Sequence, residues 1–136
     1  MTDDDAPILT DLQLAVMRVL WERGEATAVA VQEALAPERQ LAQTTVATIL
    51  SRLEKRGVIA HRPEGRQFVY RAVVSEREVR RSMVSQLTGM LFGGSPAALI
   101  NHLLSSKEID RGDLERVRRM IEDEESRGKG RGRRDA

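Results

Sequence analysis

The stretch 41-LAQTTVATILSRLEKRGVIAHRPEGRQFVY-70 decides how the chain is built. In its first half Val46, Ile49, Leu50 and Leu53 recur at the spacing that lays apolar side chains along one helical face. Thr44, Thr48, Ser51 and Lys55 fall on the opposite face, flanked by Thr45 and Arg52. A helix is expected from about Gln43 to Arg56, with Gly57 as its stop. An outer face of small hydroxyls and cations suits base edges and the phosphates beside them, and it equally suits plain solvent. The second half tips the balance. Val58 to Arg62 and Gln67 to Val73 read as strands, with Phe68 and Tyr70 on one face and Pro63-Glu64-Gly65-Arg66 as the turn. A hairpin carrying Arg62, Arg66 and Arg71 directly behind such a helix is a wing, placed to follow phosphates or enter the minor groove.

Upstream, residues 1–9 read as a flexible acidic arm. Thr10 and Gln13 form a capping box for a first helix, whose apolar positions Leu12, Leu14, Ala15, Val16, Val19 and Leu20 lead to Trp21 before Gly24 closes it. Trp21 lies within the apolar pattern and is expected as a core anchor. Glu25 to Thr27 read as a minimal strand, and Thr27 caps a second helix ending near Leu35. Three short helices and a wing make residues 1–74 a winged helix-turn-helix domain.

Downstream the character changes. Ser75 with Glu78 caps a helix striped by Val79, Met83, Leu87 and Met90 or Leu91, which Phe92-Gly93-Gly94 breaks. Ser95 and Pro96 start another, with Ala98, Leu99, Leu103 and Leu104 as its apolar side. Asp110 caps the last, with Leu114, Val117, Met120 and Ile121, running out near Glu125. Residues 75–125 are too few to bury much apolar surface alone, so pairing with a second chain is expected, and extension of the first core is the alternative. The glycine-rich, basic stretch 126–136 is expected to be a disordered tail. The fold class is thus mainly α with a small β-hairpin.

Composition excludes much. Across 136 residues the net charge is +1, yet residues 38–71 carry seven cations against three anions, which concentrates positive charge on the opening stretch. There is no cysteine, so disulfides, thiolate metal sites and cysteine nucleophiles are absent. His61 and His102 stand alone in the sequence, without the spacing of a metal site, and no cofactor is expected. No phosphate-binding glycine loop, serine elbow or zinc-protease motif occurs, so an enzyme is not expected. No secretory leader or membrane-length apolar run is evident, which makes the chain cytoplasmic by default, without membrane insertion. Two further readings compete with DNA binding. One is a small-molecule-responsive regulator with a ligand pocket around Met83, Leu87 and Met90; the other is a protein-interaction module on the same scaffold.

Three segments, Leu9 to Leu35, Leu41 to Ala72 and Phe92 to Glu125, together resemble the penicillinase-repressor family of bacterial transcription regulators, the BlaI/MecI type. The resemblance implies a homodimeric repressor on an inverted-repeat, double-stranded DNA operator, controlling β-lactamase or related resistance genes. It points to Thr44, Thr45, Thr48 and Arg52 for base reading, and the chain's own helix face and hairpin put Ser51, Lys55, Arg62 and Arg66 on phosphates or in the wing. One position that is basic in some members is Ala47 here. The third segment is similar to the family's dimerisation segment, which with the preceding helix offers Val79, Met83, Leu87, Leu91, Leu99, Leu103, Leu114, Val117 and Ile121. Members are typically released when a membrane metalloprotease sensor leads to cleavage at an Asn–Phe bond; the matching position is Asn101–His102, where imidazole replaces the aromatic ring. Copper-responsive relatives carry a cysteine-rich tail, which this chain lacks.

Overall fold

Side-chain caps open five of the six helices among the described residues. The computed structural model describes residues 8–135, with side chains to residue 128. In order they form α1 (Asp11–Arg23), β1 (Ala26–Thr27), α2 (Ala28–Leu35), α3 (Gln43–Lys55), β2 (Ile59–Glu64), β3 (Gln67–Ala72), α4 (Glu76–Phe92), α5 (Pro96–Ser105) and α6 (Arg111–Asp135). Thr10 and Gln13 cap α1 reciprocally at 3.1 and 3.0 Å. Thr27, Ser75, Ser95 and Asp110 accept the amides of Ala30, Glu78, Ala98 and Asp113. Each such cap stabilises its helix by about 1 kcal/mol. Only α3 starts without one, at Ala42.

Two compact units result, residues 8–90 and 91–135. In the first, α1 supplies Ala15, Val16, Met17, Val19 and Leu20 to an aliphatic core that also takes Val31, Val46, Leu50, Leu53, Val58 and Ile59. The three strands pair antiparallel in the order β1-β3-β2. Ala26 faces Tyr70, and Ile59 through Glu64 run opposite Ala72 through Gln67. This is a winged helix: three helices, a two-residue strand and a β-hairpin. The Trp21 indole donates to the Val74 carbonyl at 2.9 Å, tying α1 to the chain as it leaves the hairpin.

Several boundaries differ from the expected ones, each for a physical reason. Pro63 and Glu64 belong to β2 rather than to the turn, which shrinks to Gly65-Arg66. Proline is tolerated there because β2 is an edge strand. Gly65, at φ 63°, takes the left-handed conformation that a two-residue hairpin loop asks of its first residue. The expected arm lies outside the described residues except for its end, where Leu9 is buried in the core and Ile8 accepts a bond from Arg56. The first core reaches past Ser75 into α4, where Val79 is buried in it and Met83 packs against it, and residues up to Met90 group with this unit. Finally, α6 does not end near Glu125: the segment expected as a disordered tail is helical as far as Asp135. Arg127 pairs with Glu124 one turn back at 3.5 Å, and cations toward a helix C-terminus are favoured by its dipole.

Candidate nucleic-acid interface

The surface of interest is built by burying its reverse side. Val46, Leu50 and Leu53 are fully buried and Ile49 nearly so, which fixes the rotation of α3 about its axis. Thr44, Thr45, Ala47, Thr48, Ser51, Arg52 and Lys55 consequently stand exposed. Gln32 of α2 donates to the Leu41 carbonyl at 2.9 Å and so holds the turn from which α3 departs. At the other end the amide of Val58 returns to Leu53, and Gly57, at φ 79°, supplies the left-handed residue that this reversal needs.

Polar capacity on the exposed face is specific. The Thr48 hydroxyl donates its proton to the Thr44 carbonyl at 2.9 Å, leaving lone pairs and a methyl directed outward. Thr48 is therefore set to accept a hydrogen bond or to touch a methyl group. Arg52 and Lys55 meet no carboxylate among the described residues, and their charges remain available. Arg66, in the wing's turn, is in the same state.

Arg62 is not. Its Nε and one terminal nitrogen donate to both oxygens of Glu25 at 3.1 and 2.9 Å, and its other terminal nitrogen lies 2.8 Å from Glu64. The Arg62 hydrogen bond holds the Glu25 carboxyl below the usual carboxylate range. The two carboxylates raise the guanidinium pKa in turn, Glu25 first.

On the opposite face of the hairpin, where Phe68 and Tyr70 were expected side by side, His61 joins them. The His61 and Phe68 rings stack at 4.2 Å, with Tyr70 5.6 Å from His61. His61 Nδ1 lies 2.7 Å from the Glu54 carboxylate of α3. Burial raises the Tyr70 hydroxyl pKa, and the nearby Glu54 charge adds to this. His61 is thus a joint between helix and wing. The seven-residue interval from Glu54 crosses a helix end and a strand, so no periodicity announces it.

The positions expected for dimerisation divide. Val79 and Met83 face the first unit's own core. Leu99 and Leu103 are half-buried, while Leu87, Leu91, Leu114, Val117 and Ile121 are exposed. Asn101 and His102 are exposed within α5, where the His102 ring lies 5.7 Å from Phe92. Among the described residues no group of three or more histidines, aspartates or glutamates could hold a metal ion.

The chain as a whole is similar to known proteins. Residues 9–123 match the family model described as penicillinase repressor. A transcriptional regulator BlaI of Mycobacterium tuberculosis is 37% identical over 107 residues, covering 77% of this chain and 78% of its own. A penicillinase repressor of Bacillus licheniformis is 24% identical over 123 residues, covering 90% and 96%. Among solved structures, a complex of hsRosR superposes with TM-score 0.52 at 19% identity, covering 90% and 96%, and shares the fold.

Proposed function

The chain belongs to the penicillinase repressor family, DNA-binding transcriptional repressors and not enzymes, and from that premise we propose that it represses transcription as a homodimer on an inverted-repeat operator. The observation that carries this reading is the exposed face of α3, where threonine hydroxyls flank two unpaired cations and the opposite face is sealed in the core. In the proposal Thr44, Thr45, Thr48 and Arg52 meet base edges in the major groove. Ser51, Lys55 and Arg66 meet phosphates. The bare N-terminus of α3 agrees with this role, since Ala42 places no capping carboxylate or hydroxyl where a phosphate approaches.

Two faces of the second unit support pairing of chains. No residue of α5 is buried, and α6 presents Leu114, Val117 and Ile121 on one side. Two copies related by a two-fold axis would cover these side chains and bring two α3 helices to two half-sites. The regulated genes are proposed to serve β-lactam resistance or related stress, with the protein acting in the cytoplasm. Release by a membrane metalloprotease sensor pathway would cut at Asn101–His102, and that bond lies inside α5, so the helix must open locally first. The ligand-pocket alternative draws no support from its own residues, because Met83 packs against the core while Leu87 and Met90 are exposed.

The decisive experiment is a gel shift of the whole protein on the duplex upstream of its own gene and neighbouring genes, with random duplex as competitor. Retention of a specific complex in excess competitor supports the proposal. Failure to bind any duplex at low salt overturns it in favour of a protein-interaction role.

A further inference from the structure

The four cations expected at phosphate or base contacts, Arg52, Lys55, Arg62 and Arg66, do not share one environment. Arg52, Lys55 and Arg66 are exposed and meet no carboxylate among the described residues. Arg62 meets two, through three nitrogen–oxygen contacts of 2.8 to 3.1 Å. We infer that Arg62 is a positioning residue for the wing rather than a phosphate contact, and that Glu25 is its working partner.

Charge comes first. One guanidinium between two carboxylates has its charge already neutralised, and Arg71, whose charge also acts on Glu25, balances the carboxylate left over, so Arg62 brings no spare positive charge to a phosphate. To take a phosphate oxygen in the same fork, Arg62 would have to release Glu25 or Glu64 and leave that carboxylate facing the DNA. Arg66 has no such obstacle.

Topology comes next. Arg62 and Thr27 both stand opposite Val69, on the two edges of β3. Arg62 therefore reaches over the central strand to Glu25, the residue just before β1. Val69 is 7% exposed although it lies outside the main core cluster, as expected of a side chain crossed by the arginine stem. Since β1 contributes only two residues to the ladder, this tie adds to the backbone pairing and the buried Ala26 that join it to the hairpin.

The opposite face has its own tie. Adjacent residues of a strand point to opposite faces, so His61 faces away from Arg62. There it meets Glu54 of α3 at 2.7 Å. Carboxylates thus grip the hairpin from both faces, one from the helix that presents the reading side chains and one from the entry to β1. A wing held this way reaches DNA with its angle already set, and less ordering is required on binding.

Two measurements on the whole protein test the inference, using Arg62→Ala, Glu25→Gln, the double variant, and the charge exchange of Glu25→Arg with Arg62→Glu. The first is hydrogen exchange of the hairpin amides in the free protein. Both single variants should speed exchange across residues 59–72, and the charge exchange should restore protection. Unchanged protection in Arg62→Ala and Glu25→Gln overturns the clamp whether or not DNA binding holds. The second is affinity for operator duplex against salt concentration, and it rests on the DNA-binding reading above. Each single variant should weaken binding by about two- to fivefold, with no further loss in the double and an unchanged salt slope. A phosphate contact predicts otherwise: Arg62→Ala lowers the slope by about 0.9, while Glu25→Gln tightens binding to every duplex. That pattern overturns the positioning role. If wild-type protein binds no duplex, the DNA reading fails and hydrogen exchange alone decides the clamp.

Discussion

The three helices and the sheet of the winged helix hide most of their aliphatic side chains, whereas the chain from Val84 onward displays most of its own. Val16, Met17, Val31, Val46, Leu50 and Leu53 have no exposed surface. Ile100, Leu104, Leu114 and Ile121, of the same chemistry and on helices as regular, are 43% to 54% exposed. Helical periodicity is common to both regions, so it does not separate a core from an interface. What separates them is the number of elements available to cover each apolar stripe. The first unit has three helices, a sheet and the start of α4 around one centre. The second has α5, α6 and the last turn of α4.

Substitutions can break this contrast, and the largest effect belongs to the complete core. Leu50→Ala should destabilise the protein by about 2–5 kcal/mol, read from denaturant unfolding, because it empties a fully enclosed site. A loss below 1 kcal/mol would mean the core is looser than its burial indicates. Next comes Ile121→Asp. If α6 is an interface, a carboxylate there should raise the dimer dissociation constant by about a hundredfold in sedimentation experiments while the unfolding of the first unit is retained. An unchanged dimer would place the contact surface elsewhere.

Arg52→Ala sharpens a different side of the comparison, since it touches neither core nor interface. Specific DNA binding should fall by about 1–3 kcal/mol, with relaxed discrimination at one base pair if the guanidinium holds a guanine. Equal weakening on operator and random duplex would remove its reading role. Smallest is Thr10→Ala, which deletes the cap of α1 and should cost about 1 kcal/mol in thermal or denaturant unfolding.

Much of the first unit was legible from residues because its signals are local. The buried face of α3 follows from the positions of Val46, Ile49, Leu50 and Leu53, and the caps at Thr10, Thr27, Ser75 and Ser95 lie beside the helices they start. Pro63 misled because its place in β2 depends on that strand having one free edge, a property of the assembled sheet. The engagement of Arg62 was invisible for a similar reason. Glu25 lies 37 residues away, and only the pairing of β1 with β3 brings it within reach. Val79 looked like the first rung of an interface stripe, and the sequence does not reveal that the first core reaches far enough to claim it. On the proposed reading face, type and orientation of each side chain were accessible from spacing alone. Which cations remained free to act was not.

The bond from Trp21 to Val74 has a practical consequence. The chain contains one tryptophan, and its indole is fastened to the backbone just ahead of α4. Its emission therefore reports on the exit from the hairpin toward the helices that follow, together with the core side it packs against. Loosening of that exit should change the fluorescence without any added label, so the protein carries its own optical gauge of the junction.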